Sequence, residues 1–239
     1  MHFFKDRYIM LNRFIYPAYK NRSRSGQKGV ENMATKVYEC IAKIADSIIA
    51  NKEFLTELDR EIGDADHGIN MARGYTEALG QLPQDETDIG AVLKKTGMVL
   101  ISKVGGASGP LYGTAYMKAA KAAAGKTELT VQDGKEILEA IIGGIKQRGK
   151  AERGEKTMLD AIIPAYEAYV AAADGGKDLA GCLDAMCAAA KEGVEYTKTI
   201  RATKGRASYL GDRSIGHQDP GATSSLLTME AVRGFVEEG

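Results

Sequence analysis

Two acidic, glycine-containing segments hold the side chains best suited to chemistry. Residues 58–71 read LDREIGDADHGINM, and residues 211–221 read GDRSIGHQDPG. In the first segment Asp64 and Asp66 flank a single alanine, and Asp59 lies about one helical turn upstream. Carboxylates this close repel each other unless a hard cation such as Mg²⁺ or Ca²⁺ lies among them. The glycines let backbone N–H groups turn inward, as they do in phosphate-binding loops. The pattern predicts a phosphate-bearing ligand bridged by Mg²⁺.

The competing interpretation is a pair of solvated turns, because Asp, Gly and Asn are ordinary turn residues. The distribution of histidines argues against it. The chain has three histidines, and apart from His2 they are His67 in the first segment and His217 in the second. Two independent surface turns would not explain this coincidence, so one shared site is favoured.

Composition narrows the class of protein. The chain has 239 residues, with 32 Lys and Arg against 32 Asp and Glu, so no global charge favours nucleic acid or an anionic membrane surface. No stretch approaches the roughly 20 apolar residues of a membrane span. Cys40, Cys182 and Cys187 show no metal-binding spacing and predict free thiols in a reducing cytosol. We therefore expect a cytoplasmic protein with one sizeable domain and with neither nucleic acid nor membrane as a partner.

The first 32 residues differ from the rest, being rich in aromatic residues and then in Gly, Ser and Lys. Lys28-Gly29-Val30 can be encoded by a bacterial ribosome-binding sequence, and Met33 follows at a suitable distance. We expect residues 1–32 to be a non-native or disordered extension and residues 33–239 to be the functional domain. A functional amphipathic leader is the alternative, and the intact mass of the natural protein would distinguish the two.

From Met33 onward the hydrophobic pattern is helical. Val37, Ile41, Ile44 and Ile48 recur at helical spacing, and no segment shows the sustained alternation of a strand. The sequence predicts an all-α fold whose eight helices cover approximately residues 34–57, 68–81, 88–103, 109–124, 130–148, 157–173, 178–199 and 221–237. The predicted N-caps are Thr87 or Asp88, Ser108, Thr130 and Asp178.

The connections between these helices alternate in character. The even-numbered connections are short and plain, whereas the odd-numbered ones are 59–67, 104–108, 149–156 and 200–220, which carry the unusual residues. If consecutive helices pack antiparallel, all odd connections emerge at the same end. The sequence therefore predicts an eight-helix antiparallel up-and-down barrel or bundle with one nucleotide site in the loops at one end.

The other odd loops add anion-binding and cationic candidates. The glycines around Ala107 and Ser108 would offer N–H groups at a helix N-terminus, although a routine helix cap explains them equally well. The loop at 149–158 misses the P-loop pattern by one inserted residue, Glu155, and follows no strand, so a P-loop fold is excluded. Arg206 lies in a basic stretch that is either a solvated turn or a source of positive charge for a transferring phosphoryl group.

These stretches resemble a known family. The segments LDREIGDADHGINM, SKVGGASGPLYGTA, RGKAE, KTM and ATKGRASYLGDRSIGHQDPGATS are similar to those of the ADP-binding L subunits of bacterial dihydroxyacetone kinases, in particular the kinases powered by the phosphoenolpyruvate phosphotransferase system. The resemblance runs from about Met33 to the C-terminus. It departs from the family at Arg153, where proline is typical, and mildly at Ala202 and Thr203.

The resemblance implies an eight-helix barrel that binds ADP and two Mg²⁺ ions at one end. It places metal ligands at Asp59, Asp64 and Asp66. With this assignment, Arg206 is expected to assist either at the transferring phosphoryl group or at the partner interface. The nucleotide contacts that it implies are His67, Gly68, Ile69, Asn70, Ala107, Ser108, Gly149, Met158, Arg206, Asp219, Pro220 and Gly221.

In such proteins ADP is a retained coenzyme. A phosphohistidine carrier (M) subunit phosphorylates it to ATP, which passes the phosphoryl group to dihydroxyacetone on a K subunit. Two alternatives stay open: an L-type subunit of an ATP-dependent ketose or polyol kinase, and a nucleotide-loaded regulatory interaction module. A homodimer is also open.

Overall fold

The computed structural model describes residues 34–238, and the regular elements in this part of the chain are all helices, with no strand. The α-helices are α1 (Lys36–Ala50), α2 (Lys52–Ile62), α3 (His67–Gln81), α4 (Ile89–Lys103), α5 (Ser108–Ala122), α6 (Val131–Gly149), α7 (Leu159–Asp174), α8 (Leu179–Thr197) and α9 (Pro220–Glu238). A 3₁₀ helix covers Arg206–Ser214. The all-α prediction is confirmed. The prediction for residues 1–32 lies outside the described residues.

The first predicted helix, 34–57, needs correction. It is interrupted at Asn51, which has φ −97° and ψ 12°, and α2 then continues to Ile62. The side-chain amide of Asn51 donates to the Ser47 carbonyl at 2.8 Å, a local bond that competes with continued helix. Counted as one bent unit, α1 and α2 preserve the predicted number of eight. Asp59 therefore lies on the last turn of a helix and not in a loop.

The helices close into a ring. Each helix from α3 to α8 contacts the next along the chain, and α9 also packs against α1, which packs against α3. The apolar faces point inward and bury Leu55, Leu100, Leu159 and Tyr169 almost completely. Each such side chain contributes roughly 1.5–3 kcal/mol when removed from water. The ring fixes the directions in which the loops leave it.

Three of the four predicted N-caps are confirmed. Asp88 accepts from Gly90 N–H, Thr130 forms a reciprocal capping box with Asp133, and Asp178 accepts from Gly181 N–H. The fourth prediction is wrong, because Ser108 is already the first residue of α5 and its hydroxyl bonds the imidazole of His67 instead. No helix among residues 34–238 is long and apolar enough to cross a membrane.

A glycine allows α8 to lie directly against the start of α7. A Cβ atom added at Gly193 would lie 2.1 Å from the Asp160 carbonyl oxygen and 2.9 Å from the Ala161 Cα. Asp160 in turn accepts hydrogen bonds from Gly154 N–H and Thr157 N–H in the preceding loop. The close contact at Gly193 thus positions the loop before α7 as well as the helix.

Gly193→Ala should destabilise the protein by roughly 1–3 kcal/mol or more, because the contacted atoms are backbone and cannot move aside easily. Gly143→Ala is the matched control in the interior of α6, where an added Cβ meets nothing within 4 Å. It should stabilise the helix by roughly 0.5–1 kcal/mol. Denaturant unfolding of both variants measures the two effects, and equal stabilities would contradict the packing interpretation.

Candidate functional site

The four odd-numbered loops line one cavity of about 500 Å³. The first loop carries Asp64 and Asp66, and the last carries Lys204 and Arg206. Of the second acidic segment, residues 211–221, only Asp219, Pro220 and Gly221 line the cavity. His217 does not line it, and its Nδ1 lies 3.5 Å from a Glu61 carboxylate oxygen. The lining residues come from these loops and from the helix ends beside them: Asp59, Gly63, Asp64, Asp66 and His67; Gly106, Ala107 and Ser108; Gly149, Lys156, Thr157 and Met158; and Lys204, Gly205, Arg206, Asp219, Pro220 and Gly221.

Three carboxylates meet at this cavity. Asp59, Asp64 and Asp66 each offer an oxygen, and these oxygens all lie within 4.8 Å of one another. Asp59 is buried and held in place because one of its oxygens accepts from Asp66 N–H at 2.8 Å and from His67 N–H at 3.1 Å. Asp64 is exposed and Asp66 is partly buried. Such a cluster of hard oxygen donors fits a Mg²⁺- or Ca²⁺-type cation.

The turn that carries two of these carboxylates is strained. Ala65, between Asp64 and Asp66, has φ +60°, a conformation that costs roughly 1–2 kcal/mol for a residue with a Cβ. Burial raises the pKa of the Asp66 carboxyl, and the charge of Asp64 adds to the rise, whereas a hydrogen bond from Asn70 opposes it. The fold thus holds like charges together at a cost that a bound cation would offset.

Arg206 lies beside the carboxylates. It begins the 3₁₀ helix, and one of its Nη atoms is 2.9 Å from an Asp64 carboxylate oxygen. Both side chains are exposed, so this pair contributes little to stability. Its guanidinium is exposed as well as paired, so an anionic group brought to the cavity can reach it.

His67 is a buried neutral side chain that ties three helices together. Its Nδ1 is 2.9 Å from the Ser108 hydroxyl on α5, and its Nε2 is 2.8 Å from the Ser224 hydroxyl on α9. Burial lowers the pKa of His67 to about 4, and the nearby charge of Asp59 only partly offsets this. The Ser224 hydroxyl also lies 2.6 Å from the hydroxyl of Tyr112, which extends the network into the core.

Asp219 is placed by the last loop at the start of α9. Its carboxylate accepts from Ala222 N–H at 2.7 Å, and its own N–H donates to the Thr197 hydroxyl at 3.0 Å. Burial raises the pKa of Asp219 to about 7, although the Ala222 hydrogen bond and the charge of Lys156 act in the opposite direction. Pro220 and Gly221 follow it along the cavity wall.

Three predicted nucleotide contacts do not line the cavity. Gly68 is a packing residue, because an added Cβ would lie 2.0 Å from the Lys52 carbonyl oxygen, and the side chain of Ile69 is exposed. Asn70 is buried, bonds Asp66, and accepts from Arg73 at 2.7 Å. The N–H groups of Gly68 and Ile69 lie in the first turn of α3, which offers them no intrahelical acceptor. Ligand contact through those groups stays a prediction.

Sequence reasoning missed Lys156. Its side chain is only 1% exposed, although it lies in a loop rich in charged residues, where a lysine is normally solvated. Nothing in the sequence distinguishes it from Lys150 in the same loop. Only the three-dimensional path of the loop shows that it is directed inward.

The structure is that of an all-helical protein with a candidate metal and anion site in the loops at one end. Comparison with known proteins identifies the family to which such a protein belongs. The model of the DAK2 domain family matches residues 61–234, and the chain belongs to this family. The predicted resemblance to dihydroxyacetone kinase L subunits is confirmed.

The chain is 44% identical over 197 residues to the PEP-dependent dihydroxyacetone kinase, ADP-binding subunit DhaL, of Escherichia coli. The aligned region covers 82% of this chain and 94% of that protein. It is 42% identical over 195 residues to the PTS-dependent dihydroxyacetone kinase, ADP-binding subunit DhaL, of Lactococcus lactis, over 81% of this chain and 93% of that one.

More distant matches cover about a third of the other protein's length. The triokinase/FMN cyclase of Mus musculus is 31% identical over 192 residues, which are 80% of this chain but only 33% of that protein. The crystal structure of the dihydroxyacetone kinase of C. freundii superposes with a TM-score of 0.63 at 22% identity, over 88% of this chain and 37% of that one. The same kinase in complex with AMP-PNP and Mg²⁺ gives a TM-score of 0.61 at 23% identity, covering 89% of this chain and 36% of that one. These structures establish the fold.

The neutral state of buried His67 predicts a pH dependence of stability. Its pKa is about 4 in the folded protein and near 6.5 in the unfolded chain. Between these values the unfolded chain binds a proton that the folded protein does not, so the free energy of unfolding falls as the pH falls. In metal-free buffer the parent should lose on the order of 3 kcal/mol relative to His67→Gln between pH 7 and pH 4. Urea unfolding at several pH values measures this, and a constant difference would contradict the assignment.

Proposed function

We propose that this chain is the ADP-binding subunit of a PEP-dependent dihydroxyacetone kinase. It would hold ADP with Mg²⁺, receive a phosphoryl group from a phosphohistidine carrier (M) subunit, and pass it to dihydroxyacetone on a K subunit. The observation that carries the proposal is the convergence of Asp59, Asp64 and Asp66 with Arg206 at a cavity lined by four loops. The 42–47% identity to ADP-binding subunits supports the choice of ligand.

The carboxylate cluster fits the metal. Mg²⁺ is commonly bound in proteins by one or two carboxylates together with substrate phosphates, and three carboxylates within 4.8 Å would hold two ions when a diphosphate supplies further oxygens. Bound Mg²⁺ supplies neutralisation of the phosphate charge. Asp59 would offer an oxygen to the metal, and the backbone N–H groups of Asp66 and His67 hold its carboxylate in place.

The remaining wall fits a nucleotide. A cavity of about 500 Å³ lies within the usual range for small-molecule sites. Ala107 and Ser108 stand at the N-terminus of α5, where free N–H groups and the helix dipole favour an anion. Gly149, Met158 and Gly221 offer close backbone approach and apolar surface on the other sides.

The acceptor would be held elsewhere. His67, the histidine of the cavity wall, uses both ring nitrogens in hydrogen bonds and is neutral, so it is poorly placed to activate a sugar hydroxyl. Arg206 is exposed at the cluster and would stabilise charge on the transferring phosphoryl group while the acceptor stays on a partner subunit. A separate K subunit meets this requirement.

Two alternatives predict different chemistry. An L-type subunit of an ATP-dependent ketose or polyol kinase would exchange nucleotide in every cycle. The triokinase/FMN cyclases, at 29–31% identity, are the relatives that bear on this alternative. The higher identity to the PEP-dependent subunits favours a retained ADP. A regulatory module would bind nucleotide without turnover. Phosphoryl transfer to dihydroxyacetone, assayed with purified K and M subunits and either phosphoenolpyruvate or ATP as donor, separates the three.

Asp64→Asn and Asp66→Asn should each lower the affinity for ADP in the presence of Mg²⁺ by at least about tenfold, or about 1.4 kcal/mol. Asparagine keeps the shape and turn preference but removes a negative ligand. Without ligand the variants should be as stable as the parent or more so, because one repulsion is relieved. Isothermal calorimetry measures the affinity.

Asp85→Asn, in an exposed turn that does not line the cavity, is the control for this substitution and should bind as the parent does. Parent-like affinity in both site variants would overturn the metal assignment and most of the proposed function.

Arg206→Ala should slow phosphoryl transfer by about 10³-fold or more if its guanidinium stabilises the transferring group. Stability should change little because the side chain is exposed. Arg213→Ala, at the other end of the same 3₁₀ helix and also exposed, should transfer at close to the parent rate. Single-turnover assays measure both, and equal rates would reassign Arg206 to a solvated turn.

A further inference from the structure

Lys156 is a lysine whose ammonium group is used entirely inside the protein. The residue adopts φ +60°, and its side chain is 1% exposed. The ammonium donates to the backbone carbonyls of Thr197 and His217, and to that of Ile200 at 3.4 Å. An ammonium has three donors, so these three acceptors account for all of them.

The acceptors lie at the two ends of one loop. Thr197 ends α8 and Ile200 follows it, whereas His217 lies just before α9. Two further bonds join the same ends: Gly216 N–H donates to the Lys198 carbonyl at 2.7 Å, and Asp219 N–H donates to the Thr197 hydroxyl at 3.0 Å. Lys156 belongs to the third odd-numbered loop, residues 149–156. Its hydrogen bonds therefore join the two ends of the fourth loop, residues 198–219, at the base of that loop.

Burying Lys156 in this way costs free energy, and its hydrogen bonds to the loop offset that cost. A buried ammonium loses its hydration, and a left-handed conformation is unfavourable for lysine. The nearby carboxylates of Asp160 and Asp219 receive none of its hydrogen bonds, because the three donors of the ammonium all bond backbone carbonyls. Burial lowers the pKa of Lys156, and the charges of Asp219 and Asp160 oppose this. All three N–H donors of the Lys156 ammonium bond backbone carbonyls, so the ammonium fixes the conformation of the backbone there.

The loop that is closed in this way carries two parts of the candidate site. Arg206 lies within it, 2.9 Å from Asp64, and Asp219 ends it on the cavity wall. We infer that Lys156 is a positioning residue, whose ammonium fixes the base of loop 198–219 and thereby holds Arg206 and Asp219 in place at the carboxylate cluster. It acts through the loop and does not itself need to touch a ligand.

Lys156→Met tests this, because methionine keeps a long unbranched apolar side chain and removes the ammonium. Lys150→Met is the matched control: Lys150 is in the same loop with φ +50°, and its exposed ammonium bonds no described residue. Ile41→Ala is a control for general destabilisation, since Ile41 is buried in α1 and does not line the cavity.

Hydrogen–deuterium exchange of the full chain without metal or nucleotide gives the first readout. In Lys156→Met the amides of residues 198–219 should exchange at least tenfold faster, while those of α3 and α5 keep the parent rates. Lys150→Met should match the parent throughout, and Ile41→Ala should not show an increase confined to 198–219. Parent-like exchange of 198–219 in Lys156→Met would overturn the inference.

Titration with MgCl₂ and ADP gives the second readout, which rests on the proposed function. Lys156→Met should bind ADP at least tenfold more weakly, whereas both controls stay within about twofold of the parent; the tenfold loss corresponds to about 1.4 kcal/mol. If Lys156→Met and Ile41→Ala have similar melting temperatures and Lys156→Met loses no more affinity for ADP than Ile41→Ala does, the positioning role is overturned. If the parent binds no ADP, the proposed function fails, and amide exchange alone decides the role of Lys156.

Thr197→Val provides a second variant in case Lys156→Met does not fold. Valine nearly preserves the shape of threonine but removes the hydroxyl that accepts from Asp219 N–H. It should also raise amide exchange within 198–219 and weaken binding of ADP. Parent-like behaviour of Thr197→Val in both measurements would overturn the inference.

Discussion

The mutual repulsion of three carboxylates is the constraint on which the rest of the structure depends. Their oxygens lie within 4.8 Å of one another, and the fold maintains this arrangement through Asp59, which is anchored on the last turn of α2 by two backbone N–H groups. The left-handed conformation of Ala65 adds further strain. Strain and like-charge crowding of this kind persist where a site requires them, and a hard cation relieves the crowding.

The helical ring supplies the rigidity that this site needs. Because neighbouring helices contact one another around a closed ring, the four odd-numbered loops leave from fixed positions and line one cavity. Buried polar contacts then link the loops. His67 joins α3 to α5 and α9, and the Lys156 ammonium joins the third loop to the fourth. The site is thus assembled from parts far apart in sequence, with each part held by a different helix end.

Much of this was predictable from local sequence patterns. Helical periodicity predicted the all-α fold, and the alternation of plain and unusual connections predicted which loops meet. Helix formation and the antiparallel packing of consecutive helices depend on residues close together in the sequence, and the packing of the whole protein does not override them. The break at Asn51 was not predictable, because the apolar stripe continues across it and an asparagine within a helix gives only a weak signal. The extension of α2 to Ile62 escaped prediction because Asp and Gly around residue 63 are typical of turns.

Side-chain roles that depend on distant partners were the least predictable. Ser108 has the residue type of an N-cap, but His67, 41 positions away, takes its hydroxyl. Lys156 looks like any solvated lysine until three carbonyls from two other segments are placed around it. Neither the His67–Ser108 contact nor the hydrogen bonds of Lys156 produce a recognisable spacing of residues in the sequence. The sequence therefore shows which loops form the site but not which side chains fix the positions of those loops.

We propose that this protein binds a nucleotide through a metal ion held by the three carboxylates. Melting of the parent protein in EDTA, with Mg²⁺ alone, with ADP alone, and with both tests it most directly. If the bridge exists, Mg²⁺ and ADP together should raise the melting temperature well beyond the sum of their separate effects. At about 100 times the dissociation constant the added stability is about 2.7 kcal/mol, which corresponds to several degrees. A melting temperature that is the same in all four conditions would contradict the account.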